Sequence, residues 1–127
     1  MAQTVRPKPA REILTEGLSA TIASGASLSG AVAISYLVPV TIVVPAEFDG
    51  TAITFQGSLD GTTFYNLYDE AGTEINFPAS ASRIIKVTNL AYFYGLEYIK
   101  VRAGTAASAT NQTTTDTVLT VFVRSID

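Results

Sequence analysis

The sequence contains no cysteine and no histidine in 127 residues. Without cysteine there can be neither a disulfide nor a thiolate metal site, so redox chemistry places no constraint on the compartment. Without histidine, the commonest general base and the commonest transition-metal ligand are both missing. Catalysis would have to rest on carboxylates, lysine, serine or a cofactor, and the expectation is a protein that is not an enzyme and carries no cofactor. Charge is also scarce, at 15% of residues with a net value of -3, which bears on solubility and little else. The longest apolar stretch, Ala31 to Val44, is broken by Ser35, Pro39 and Thr41 and is too short to cross a bilayer. Near the start, Arg6, Lys8 and Arg11 are not followed by the apolar run and cleavage site of a signal peptide. No membrane partner is expected.

What the chain does have is apolar content, 47% of residues, in a length that suits one domain with a buried core. Residues 1–16 are set apart as an extended arm. Pro7 and Pro9 each remove a backbone donor and disfavour helix at the preceding residue, and three basic residues lie among them. Such a segment is either a loose terminus or an arm that orders on a neighbouring molecule. Residues 17–127 form the second unit.

That unit reads as strands. Leu18–Ala23 alternates weakly, Ala31–Leu37 is long enough for one strand, and Val40–Val44 follows a kink or edge imposed by Pro39. Ala52–Ser58 places Ile53, Phe55 and Gly57 on one face and Thr54, Gln56 and Ser58 on the other. Asp60-Gly61 signals a hairpin, with Thr62–Tyr68 as the return strand. After a turn at Ala71-Gly72, Thr73–Phe77 completes a meander, and Ser82–Val87 is again strand-like. Asn89 and Gly95 bracket a helical turn of one or two turns at most. Leu96–Arg102 sets Tyr98, Lys100 and Arg102 on one face; Gly104 to Asp116 is a loop. Thr117–Arg124, apolar on both faces, reads as a central or interface strand. Short strands spaced by Gly and Pro turns predict an all-β fold: a single antiparallel β-sandwich, jelly-roll or immunoglobulin-like.

Candidate chemistry is thin. Asp69, Glu70 and Glu74 are the only clustered carboxylates, and they straddle a turn where Asp is ordinary. A hard-cation site from Asp60, Asp69 and Glu70 lacks the spacing of a calcium loop, and no metal is expected. The Tyr98, Lys100, Arg102 face mixes aromatic and basic groups as single-strand binders do, but it also suits a solvated strand in a net acidic chain; no nucleic acid is expected. Asn111-Gln112-Thr113 fits the glycosylation pattern, which arises readily by chance in a Thr-rich loop. From Val44 to Ile75 the chain carries six acids and no base, and Arg83, Lys86, Lys100 and Arg102 follow. Solvated loops account for this; an acidic edge meeting a basic edge across copies is the functional alternative. Tyr92, Phe93 and Tyr94 are consecutive and cannot all face one core, so together with Arg6, Lys8 and Arg11 they are the candidate partner-binding residues.

The segment FQGSLDGTTFYNLYDEAGTEI, Phe55 to Ile75, resembles a pattern of small β-rich structural proteins of tailed bacteriophages, with a Ser-x-Asp-Gly turn, an aromatic strand and a Gly-Thr turn. YGLEYIKVRAGTA (Tyr94 to Ala106) and NQTTTDTVLTV (Asn111 to Val121) continue the likeness in order. It covers the chain from about Val43 onward and brings no catalytic residues. It implies a virion location after assembly in the host cytoplasm, as a capsid decoration or cement subunit. The implied partners are the major capsid protein and its own copies, in a homo-oligomer such as a trimer. A low-copy neck or tail position is the neighbouring alternative. The turn Ser58 to Phe64 also resembles one in discoidin-type carbohydrate-binding jelly rolls, although those carry Trp where this chain has Phe64 and has no Trp at all. That likeness implies an aromatic sugar platform near Phe64, Tyr65 and Tyr68.

Overall fold

The computed structural model describes residues 15–125. Among the described residues nine strands follow one another: β1 (Thr15–Ile22), β2 (Val32–Ala33), β3 (Val38–Val44), β4 (Ala52–Ser58), β5 (Tyr65–Asn66), β6 (Asn76–Pro78), β7 (Arg83–Lys86), β8 (Tyr98–Ala103) and β9 (Thr117–Arg124). A 3-10 turn, Leu90–Phe93, precedes β8. One sheet runs β1-β9-β3-β7, the other β2-β8-β4 with β5 and β6 sharing the far edge of β4, and every pairing is antiparallel. The all-β sandwich expected from the period-2 pattern is the fold. β1 begins at Thr15, so the arm assigned to residues 1–16 gives up its last two residues to the first strand. Arg6, Lys8 and Arg11 lie outside the described residues.

The core is the space between the inner faces. Ala20 and Ile22 of β1, Ile42 and Val44 of β3, and Leu119, Val121 and Val123 of β9 meet Ile53 and Phe55 of β4 and Ile99 and Val101 of β8. Phe93 closes one side, its ring edge-on to Phe55 at 5.1 Å. β9 is central in its sheet and alternates buried and outward residues along its length, which leaves Val118 and Phe122 on the outer face.

Two strand expectations are corrected. Ala31–Leu37 yields only the two residues of β2, because Ser35 and Tyr36 adopt φ of 51° and 65° and the Leu37 amide donates to the Ile34 carbonyl at 2.8 Å. That turn carries the chain from one sheet to the other. The second correction concerns the meander. Thr62–Tyr68 keeps only a short pairing with β4, at Tyr65 and Asn66 with the Leu67 amide donating to the Phe55 carbonyl, and β6 pairs with β4 itself. The chain between them leaves the sheet as a small excursion, bridged at Tyr68 and Glu74. Pro39 lies inside β3 at a register shift, where β7 has not yet joined and no donor is required on that side. Asn89 caps the 3-10 turn by accepting from the Ala91 amide, and Gly95 at φ 82° ends it, as the spacing predicts.

Candidate functional site

The outward row of β8 is the part that the sequence reads least well. Tyr98, Lys100 and Arg102 suggest a solvated or nucleic-acid-facing strip, yet each holds part of the excursion between β4 and β6. Tyr98 lies against Gly61, where a Cβ would stand 2.8 Å from its ring. The Lys100 ammonium sits 4.5 Å from the centre of the Phe64 ring, a cation–π contact. Arg102 is buried: it donates to Thr54 Oγ1 at 3.1 Å, to Glu74 Oε2 at 3.2 Å and to the Asn66 side chain. Glu74 in turn accepts from the Ala106 amide, which ties in the loop after β8. An arginine at a strand position of alternating polarity carries no local sign of burial. The signal available is the excess of acids from Val44 to Ile75, among them Glu74, ahead of the basic residues that follow.

The acids likewise serve the fold. Asp60 Oδ1 accepts from the Thr62 and Thr63 amides and from Ser58 Oγ, and these bonds, Thr63 foremost, hold its carboxyl below the usual aspartate range. Asp69 Oδ1 accepts from the Ala71 and Thr73 amides. Asp49 Oδ2 accepts from Thr113, while the Asp49 backbone pairs with the buried Gln112 carboxamide. The carboxylates considered for catalysis or a cation are thus spread over separate turns and the Arg102 pair, and no group of three metal-capable side chains forms among the described residues. Of the acidic and basic segments, Glu74 and Arg102 satisfy each other inside the molecule.

Two surfaces stand out among the described residues. The first is a groove of about 520 Å³ beside the Asp60 turn. Gly57 makes room for Leu96, whose Cδ1 lies 3.0 Å from where a Cβ would be, and Leu59, Leu67, Tyr65 and Asn66 form the remaining walls. Tyr65 is 73% exposed. The aromatic platform expected at Phe64, Tyr65 and Tyr68 is divided: Tyr65 borders this groove, Tyr68 lines a separate one with Tyr92, and Phe64 is half-buried against Lys100.

The second is the outer face of the β1-β9-β3-β7 sheet. Its rows follow from the register: Thr21 beside Val118; Ser19, Thr120, Val43 and Ile84; then Gly17, Phe122, Thr41 and Lys86. Ile84 is 64% exposed, and Val118 and Phe122 are exposed as well. Lys86, bonded to Thr41 Oγ1 at 2.9 Å, and Arg124 put positive charge at one end, and no acid interrupts these rows.

The consecutive Tyr92, Phe93 and Tyr94 do not all face the core, but Phe93, named as a partner-binding candidate, is core, and this is a correction. On a 3-10 turn successive side chains point about 120° apart. Phe93 is fully buried among Phe55 and Phe77, Tyr92 is half-buried beside Phe77, and Tyr94 alone is exposed. Among the described residues no helix is long and apolar enough to cross a membrane. No family model, curated protein or solved structure matches the chain.

Proposed function

We propose that the chain is a virion structural protein, a capsid decoration or cement subunit that binds the major capsid protein and its own copies and stabilises the shell. The observation that carries this reading is the outer face of the β1-β9-β3-β7 sheet. A solvated antiparallel face ordinarily alternates apolar-in with charged-out residues. Here the outward positions are Val43, Ile84, Val118 and Phe122 among small hydroxyl residues, with cations confined to one end. Such a face is stabilised by burial against a protein neighbour whose matching surface is apolar with an acidic margin. The ordered likeness of three segments to phage structural proteins supports the choice of a capsid neighbour. Repetition over a shell strengthens weak individual contacts through multivalency.

Quantitative mass spectrometry of purified particles is the direct test. Copy numbers comparable with the major capsid protein are expected. A few copies per particle would place the chain at the neck or tail, and absence from particles would overturn the reading.

A second reading is supported by the groove at Tyr65. An exposed ring beside a carboxamide and a carboxylate is the equipment of a sugar subsite. It predicts glycan binding that Tyr65→Ala abolishes, and a negative result over a broad glycan array removes it.

A further inference from the structure

We infer that two copies of the chain pair through the free edge of β1, antiparallel and about a two-fold axis near Ser19. This deepens the reading above by naming the surface through which copies meet.

Open strand edges expose unpaired amides and carbonyls, and proteins blunt them with short strands, charge or proline. Three of the edges here are treated in this way. β2 has two residues. On the far side of β4, the two residues of β5 and the three of β6, ending in Pro78, break the edge into pieces. β7 has four residues with Arg83 and Lys86 at its ends. β1 has a single charge, Glu16 near its start, and neither proline nor shortness. It runs for eight residues in unbroken register with β9, without proline and without charge from Gly17 to Ile22. Among the described residues nothing hydrogen-bonds to its backbone on the side away from β9.

The side chains select the occupant. A strand that captures a foreign peptide adds pockets for alternate side chains of the guest. Gly17, Ser19 and Thr21 on the outward face offer none. Self-pairing needs none, because symmetry fixes the register. An axis perpendicular to the sheet keeps inner residues inner, so it must pass through a residue position. At Ser19 it sets Gly17 against Thr21, Leu18 against Ala20 and Glu16 against Ile22, with no like charges opposed. The two four-stranded sheets then join, and their outer faces become continuous.

Light scattering on the full chain after size exclusion tests this. A dimer is expected at about 100 µM, and Ser19→Lys, which opposes two ammonium groups at the axis, weakens it about tenfold or more. Ile84→Lys, at the opposite edge, leaves the dimer intact. Ser19→Cys, in a chain with no other cysteine, gives a disulfide-linked dimer on oxidation. Far-UV circular dichroism of Ser19→Lys unchanged from wild type shows that folding is not the cause. A wild-type monomer overturns the inference, whether residues 1–14 or solvent fill the edge, and so does a dimer that Ser19→Lys leaves unchanged. A monomer abundant on particles overturns only this inference. A dimer absent from particles overturns only the capsid reading.

Discussion

The ring of Phe122 lies over Gly17 on the neighbouring strand, so that a Cβ at Gly17 would stand 3.0 Å from Phe122 Cε1. An aromatic residue covering a cross-strand glycine shields backbone that would otherwise face water and fills the space left by the missing side chain. Phe122→Ala should therefore cost about 1 kcal/mol, near the top of the range for cross-strand pairs. In a Gly17→Ala background the cost should shrink, since the ring is already displaced. Urea denaturation of both singles and the double variant measures the coupling, and additive effects would show that the ring gives Gly17 nothing.

Arg102 is the electrostatic tie between β8, β4 and the excursion that leads to β6. Its side chain and that of Glu74 are 7% and 16% exposed, so neither can turn to water without rearrangement. Arg102→Leu leaves Glu74 without its cation and should cost about 3 kcal/mol, as expected when one member of a buried pair is removed. Glu74→Gln should cost less, because the guanidinium keeps Thr54 and Asn66. Denaturation midpoints rank the two, and the reverse order would mean that Glu74 acts mainly through the Ala106 amide.

Asp60 makes the stability of the turn depend on pH. Its folded-state carboxyl titrates below the ordinary aspartate value, so the native state favours the ionised form. The stabilisation is present above the unfolded value of about 3.9 and is lost as pH falls through the lower folded value. Asp60→Asn keeps an oxygen acceptor but does not titrate. Its thermal midpoint should fall less steeply than that of wild type on acidification below about pH 4. Parallel curves would assign the acid dependence to other carboxylates.

The Ser35-Tyr36 turn carries strain that its sequence could avoid. Both residues lie at positive φ, and Tyr36 is 59% exposed, so its ring contributes little packing. Replacing the pair by Asn-Gly, which accepts this conformation, should raise stability by about 1 kcal/mol. A loss of stability instead would show that the Tyr36 ring has a contact worth more than the strain.

Local signals were legible in proportion to how local their physics is. Ala52–Ser58 and Thr117–Arg124 coincide with β4 and β9, because alternation in the first and an unbroken β-branched, apolar run in the second each fill seven or eight residues with strand-forming side chains. Asn89 and Gly95 delimit the 3-10 turn through bonds and φ angles that involve only their near neighbours. Thr62–Tyr68 misled for the same reason: its composition suits a strand, but β4 offers an edge only to Tyr65, Asn66 and the Leu67 amide before β6 claims the remainder.

The sequence by itself determined that the chain is an antiparallel β protein with a core and without histidine or thiol chemistry. Only the tertiary structure decided which polar residues are inside and which apolar ones are outside. Phe93 is core and Arg102 is buried because of what lies across from them, at Phe55 and at Glu74, far away along the chain. The same holds for the outer face with Phe122 and for the unguarded edge of β1. Whether a strand has a neighbour is fixed by pairing between distant segments.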